Sequence, residues 1–452
     1  MARIEPFAGI RYNQEVIPDL ALVTTPPYDV IDEAAQERYY QRHPYNIIRL
    51  ELGRILPGDD HRDNRYRRAA SFFHDWLREG ILQREKQPSL YLYEQEFPLG
   101  RKRRVRTGFF CNVQLSEYSQ GEILPHEETL PKAKEDRLQL LRACHANFSP
   151  IFGLYADETG LINQLMQAGK GNRPAHITLV DEAGEEHRLW IIDNPRIIEQ
   201  VRELMLPRTI FIADGHHRYE TALAFHREAK EQGLEGFGRV MMVLVNLYDP
   251  GLAILPTHRL VRGIAGLEVD RFLRRLAADF EVEPLTLSPA DGREGEELTQ
   301  LLARRGQGQH AFGLYAGGQQ AYLLTLRPGV TLERVGPGRS RAWCQLDVSV
   351  LHSLVLEAHL GIGSQEREGE AHLTYTRDPH FAVRSVKQGD HQMAFLLNPT
   401  RVEEVTAVAA AGDKMPQKST YFYPKLLTGL VINHLEGALT LARIETDPGQ
   451  PR

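Results

Sequence analysis

An aspartate, a glycine, two histidines and an arginine stand in a row at Asp214, Gly215, His216, His217 and Arg218. Glycine lets a backbone approach a ligand with no side chain in the way. A guanidinium can bridge two phosphate oxygens, and imidazoles exchange protons near neutral pH. Residue types in this order suit an anion, phosphate above all. An Asp N-cap followed by solvated histidines and a surface ion pair would use the same letters. A second group, His126-Glu127-Glu128, precedes Lys132, Lys134, Arg137 and Arg142. Carboxylates beside cations fit phosphoryl transfer: one takes the hydroxyl proton or holds Mg2+, and the cations neutralise phosphate. Charges that cap and solvate a helix account for the group equally well. The triplet lacks the His-Glu-x-x-His spacing of a zinc hydrolase, so no resident metal is expected.

A third group lies between Gly412 and Lys425, where Lys414, Lys418, Ser419 and Thr420 occupy a proline-bounded loop. Lysines and hydroxyls there could line an anion pocket, although the spacing is not that of a Walker A loop. Tyr28 and Asp29 leave an extended turn fixed by Pro26 and Pro27. His258, beside Arg259, is expected at a strand end. Tyr28, Asp29, Arg137 and His258 are the candidates for facing a substrate; a surface loop is as ordinary a reading of His258.

These residues need elements to hold them. Ile210 to Ala213 predicts a short buried strand that stops at Asp214-Gly215. Beyond it Tyr219, Ala222, Leu223 and His226 fall at helical spacing, so the motif sits at a strand-to-helix turn. A helix start presents bare N–H groups and a positive dipole end. Helices are expected over 32–40, 63–82, 135–147, 195–206 and 343–361, with another opening at Pro424. Strands are expected over 46–52, 90–93, 107–113, 149–155, 239–247, 310–314, 320–326, 373–378 and 393–397. The basic run Arg101-Lys-Arg-Arg-Val-Arg106 predicts a solvated hairpin turn in preference to a nucleic-acid contact. Residues 290–308 suggest a peripheral insertion. The fold class is α+β, with mixed or antiparallel sheets, in three regions: 1–120, 121–262 and 263–452.

With 452 residues and a net charge of −6, the chain has length for a large core and no general attraction for nucleic acid. Cys111, Cys144 and Cys344 lie far apart, which suits a reducing cytosol. No apolar run is long enough to span a bilayer. A cytoplasmic protein without a membrane partner is expected, and a homo-oligomer is left open.

Asp214-Gly-His-His-Arg218 resembles the signature of the ParB/sulfiredoxin-like superfamily, in the form its free-serine kinases carry. Together with Pro26-Pro-Tyr-Asp-Val30, His126-Glu-Glu-Thr129 and Met415-Pro-Gln-Lys-Ser-Thr-Tyr421, it also resembles a family known as domain of unknown function 1015, over essentially the whole chain. The superfamily resemblance implies a nucleotide-binding core within 121–262, Asp214 to Arg218 on the phosphates, and Glu127 or Glu128 as the base. It implies an enzyme that uses ATP or ADP with Mg2+ for phosphoryl transfer on a small hydroxylated metabolite, serine or phosphoserine first. The alternatives are a ParB-like regulatory module that nucleotide switches on DNA or a partner, and a phosphomonoester hydrolase using the same pocket.

Overall fold

Arg239–Asn246 is apolar on both faces, and a strand of that kind is stable only between other strands and under helices. In the computed structural model it runs parallel to Ile151–Tyr155 and antiparallel to Lys102–Gln114. The structure describes residues 1–100, 102–127, 131–287, 292–318, 320–363 and 372–435. They form two compact units. The first contains 1–125, 129–252 and the segment from Pro424 onwards; the second contains His126–Glu128 and Ala253–Tyr423.

The first unit is built on a mixed sheet. From Arg239–Asn246 it extends one way through Ile151–Tyr155 and Ile210–Asp214 to Ile123–Leu124. The other way it passes through Lys102–Gln114, Leu90–Leu99 and Glu186–Ile192 to Ile177–Val180. Helices Leu161–Lys170 and Pro195–Met205 bury Ile162, Met166, Ile198, Val201 and Met205 against Trp190, Ile212 and Leu244. Helix His216–Glu231 packs beside helix Pro131–Cys144 through Phe225, Ala229 and Leu141. The second unit holds an antiparallel sheet ordered Phe280–Thr286, Gln320–Leu326, Ala311–Tyr315, Met393–Leu396, His258–Val261, Leu373–Thr376. The architecture is α+β with mixed and antiparallel sheets. Among the described residues no helix is long and apolar enough to cross a membrane.

Several elements differ from expectation. Residues 46–52 contain a four-residue helix, Ile48–Glu51, started by Asn46, whose side chain accepts the Ile48 amide. Ile47, Ile48 and Leu50 are all fully buried, so the apolar pattern there carries no period. Residues 343–361 do not form one helix but a series of short turns, with a π segment at His352–Glu357. No helix opens at Pro424; the strand Phe422–Tyr423 pairs with Ala253–Ile254 instead. Glu294–Arg305 is no peripheral insertion, since Leu298 and Leu302 are fully buried beside Leu260 and Leu396. In place of three consecutive regions there are two units, which change over at 125–126, 128–129, 252–253 and 423–424, and residues on both sides of 120 share one sheet.

Candidate functional site

The corner begins one residue early. Strand Ile210–Asp214 is in register with Ile151–Tyr155 through Phe211 and Ile212, and the register then shifts, so that Asp214 faces Phe152. A bulge of this sort bends a strand and re-aims the side chain beyond it. Gly215 follows in the left-handed region, with φ of 92°, and helix His216–Glu231 starts at the next residue. A Cβ on Gly215 would stand 2.9 Å from the Arg218 Nε, so both the dihedral and the space call for glycine. Asp214, Gly215, His217 and Arg218 are half-buried, whereas His216 is buried.

Asp214 is held between two cations. Its Oδ1 lies 3.0 Å from the Lys425 Nζ and its Oδ2 3.4 Å from the Arg218 Nη2. Burial alone would raise this carboxyl, but Lys425 and Arg218 outweigh it and hold Asp214 at about 2. An acid that weak as a base stays ionised at any working pH and cannot accept a substrate proton. Its task is to position the two cations. Arg218 also donates through Nη1 to the Pro150 carbonyl, and its buried Nε has no hydrogen-bond partner among the described residues. The His217 ring is lowered by burial, against the pull of Glu220 and Asp29, so it is neutral near pH 7 and able to take a proton.

Tyr28, Asp29 and Arg137 gather at the same corner. The Arg137 guanidinium lies 4.0 Å over the Tyr28 ring. Burial pushes the Tyr28 hydroxyl up to about 12, with Arg137 and Arg218 opposing. Pro27 leads into the turn Tyr28–Val30, which leaves Asp29 exposed. Two further residues join the corner: Glu51, which carries no signal in the sequence, and Lys425, the last lysine of the third sequence group. Glu51 is buried and raised by that burial, although Arg137 and the Ser149 hydroxyl, 2.8 Å from its Oε1, both favour the carboxylate. With Arg137, Ser149 and Arg218 it lines a cavity of about 50 Å³. That holds a few waters and no nucleotide, since one water needs roughly 10–15 Å³ of such volume. Any larger ligand must use the outer, half-exposed side of the corner. Lys425 is the other: its neighbours Gln95 and Arg106 donate to the Lys425 and Pro424 carbonyls at 3.0 and 2.6 Å, fixing the segment that carries the ammonium.

The second unit brings another set together. His126 Nε2 lies 2.9 Å from the Thr420 hydroxyl, which also reaches Glu127 Oε1 at 3.4 Å. Glu127 forms a parallel bridge with Met415, whose amide donates to the His126 carbonyl at 2.6 Å. Ser419 is buried and donates to the Pro416 carbonyl. Lys418 is exposed at a φ of 58°, a strained conformation for a residue with a side chain, and Arg259 binds its carbonyl. Lys414 is half-buried, its carbonyl accepting from the Trp343 ring N–H at 3.0 Å. Glu128 lies outside the described residues. His258 belongs to the six-stranded sheet. It begins, and does not end, a strand; it is fully buried, accepts the Leu397 amide, and is lowered by burial to about 4.

The family model described as Protein of unknown function (DUF1015) matches residues 4–349. The chain belongs to that family. The match takes in the Asp214–Arg218 corner and His126–Glu127 and stops short of the Lys414–Lys425 stretch. Among curated proteins none matches this family member by sequence. Several solved structures are similar to it, among them the following three. A conserved hypothetical protein from Pyrococcus furiosus is 17% identical, with 72% of this chain and 97% of that one covered, at a TM-score of 0.33. A free serine kinase in complex with AMP is 17% identical, with 72% and 92% covered, at a TM-score of 0.33. SbnI with a C-terminal truncation, from Staphylococcus aureus, is 12% identical, with 74% and 93% covered, at a TM-score of 0.33.

Proposed function

We propose that the protein catalyses nucleotide-dependent phosphoryl transfer on a small hydroxylated metabolite, with free serine or phosphoserine the leading substrate. The observation that carries this reading is the corner itself: Arg218 and Lys425 share one carboxylate, at the start of a helix, on a half-exposed surface. Two cations against one fixed anion leave a net positive charge, and helix amides add to it. An oxyanion entering there gains charge-assisted hydrogen bonds. On this reading Asp214 to Arg218 hold the phosphates of ATP or ADP in a ParB/sulfiredoxin-like core, and Tyr28, Asp29 and Arg137 face the acceptor. Mg2+ bound with the nucleotide would neutralise phosphate charge, and Glu127 or Glu128 would accept the hydroxyl proton.

Thermal shift with ATP, ADP, AMP, pyrophosphate, phosphoserine and inorganic phosphate tests the seat. A nucleotide at about 100 times its dissociation constant should stabilise by roughly 2.7 kcal/mol. Arg218→Ala should remove that shift. Glu127→Gln should keep it while abolishing transfer of phosphate to serine, and a normal nucleotide shift in Arg218→Ala would sink the proposal. Release of phosphate from a monoester without nucleotide would turn the reading to hydrolysis at the same corner.

A further inference from the structure

The hairpin formed by Ile177–Val180 and Glu186–Ile192 carries three metal-ligating side chains around its turn. Asp181, Glu185 and His187 each offer one ligand atom, and the three atoms lie within 4.8 Å of one another. Asp181 divides its two oxygens. Its Oδ1 accepts the Ala183 and Glu185 amides, both at 2.9 Å, and its Oδ2 stands 3.3 Å from His187 Nε2. Two ligands bound to one tetrahedral ion at about 2.0–2.1 Å stand about 3.3 Å apart. The separation therefore fits one edge of such a site.

A second observation comes from the imidazole. His187 is fully buried, and among the described residues the polar atom beside its Nε2 is Asp181 Oδ2, another member of the cluster. Its Nδ1 is 2.7 Å from the Tyr93 hydroxyl. With an ion on Nε2, Nδ1 would carry the proton and donate to the Tyr93 hydroxyl, the second partner usual for a metal-bound imidazole. Two carboxylates would balance the charge of a dication. Arg106 already acts on the charge of Glu185, so an ion entering would share that carboxylate with it.

We propose that Asp181, Glu185 and His187 bind a divalent ion of the zinc class, with solvent completing the fourth position. The site ties the hairpin turn to the strand Leu90–Leu99 through Tyr93, and it does not depend on the phosphoryl-transfer reading. The test is titration of the metal-free full-length chain with Zn2+ by calorimetry and with Co2+ by visible absorption. One ion per chain is expected, with the intense absorption of four-coordinate cobalt and a higher melting temperature in Zn2+ than in chelator. Asp181→Asn keeps an acceptor for the two turn amides and removes the anionic ligand; it and His187→Gln should each weaken binding at least tenfold. Tyr93→Phe, which removes the partner of the ligand and an acceptor of the Leu427 amide, should weaken it by roughly 10- to 100-fold. Asp193→Asn, an exposed carboxylate of the same unit, should leave the affinity unchanged. Failure to bind one Zn2+ per chain, or unchanged binding in Asp181→Asn, overturns the site. If His187→Gln does not fold, Asp181→Asn decides alone.

Discussion

Asp214 shows how much of a site can rest on one side chain that does no chemistry. Its carboxyl titrates at about 2 in place of the ordinary 3.8, because Lys425 and Arg218 outweigh the effect of burial. A shift of that size corresponds to about 2 kcal/mol. The folded-state pKa is depressed, so the stabilisation is complete above the unfolded value and is lost as pH falls through about 2. Lys425→Met removes the nearest cation and should cost on the order of 1–2 kcal/mol at neutral pH. Urea unfolding of the wild type and the variant at a series of pH values checks this. The gap should be constant from neutral pH down to about 4 and narrow below that. A gap that stayed the same to the lowest pH would mean that Lys425 stabilises by packing and not by its charge.

At the scale of elements, the hairpin Leu90–Leu99/Lys102–Gln114 separates what could be read from what could not. The hairpin itself follows from Leu90-Tyr-Leu-Tyr93 and the apolar run after Thr107, but the strands run on to Leu90–Leu99 and Lys102–Gln114 and take in basic residues expected as the turn. Those basic residues do not behave alike. Arg103 pairs with Glu96 at the surface and Arg104 is exposed, but both lie on the paired strand Lys102–Gln114 and not in the expected turn. Arg106 is 1% exposed; its guanidinium binds Gln95 and the Pro424 carbonyl and lies 4.6 Å over the Phe152 ring. Burial lowers it to about 10. Nothing local marks this arginine, because the carbonyl it serves belongs to a residue 318 positions later. The strand–glycine–helix corner was legible for the opposite reason: its signals are contiguous. The buried Glu51, the Lys425 contact and the helix at Ile48–Glu51 were not, since each is set by partners distant in sequence. Arg106→Met should therefore leave two acceptors unpaired and destabilise by roughly 3 kcal/mol. Arg104→Met, two residues away on the same strand, should change stability by less than about 0.5 kcal/mol. Chemical denaturation of the pair separates them, and equal effects would contradict the burial assigned to Arg106.

At the scale of the whole molecule, the first unit is finished by the last described part of the chain. Ile10 and Ile432 exchange both backbone hydrogen bonds at 2.8 Å, Thr25 pairs with Thr428, and Asn433 pairs with Asn147. Leu426, Leu427, Leu430, Val431 and Ile432 are all buried. A Cβ on Gly9 would stand 2.6 Å from Val431, so the returning segment lies directly on the N-terminal backbone. At about 1.5–3 kcal/mol for each buried side chain, these five contribute on the order of 10 kcal/mol. Whole domains are stable by only about 5–15 kcal/mol. A chain ending at Tyr423 should thus lose the fold of its first unit, and with it the Lys425 contact at Asp214. The six-stranded sheet of the second unit runs from His258 to Leu396 and has its own core, so it does not need that segment. Hydrogen exchange followed by mass spectrometry should then find amide protection lost in Ile151–Tyr155, Ile210–Asp214 and Arg239–Asn246. Protection should persist in Ala311–Tyr315, Gln320–Leu326 and Met393–Leu396. Protection retained in all six strands would show that the first unit closes its core without the C-terminal return, and the stabilisation assigned to those five side chains would be wrong.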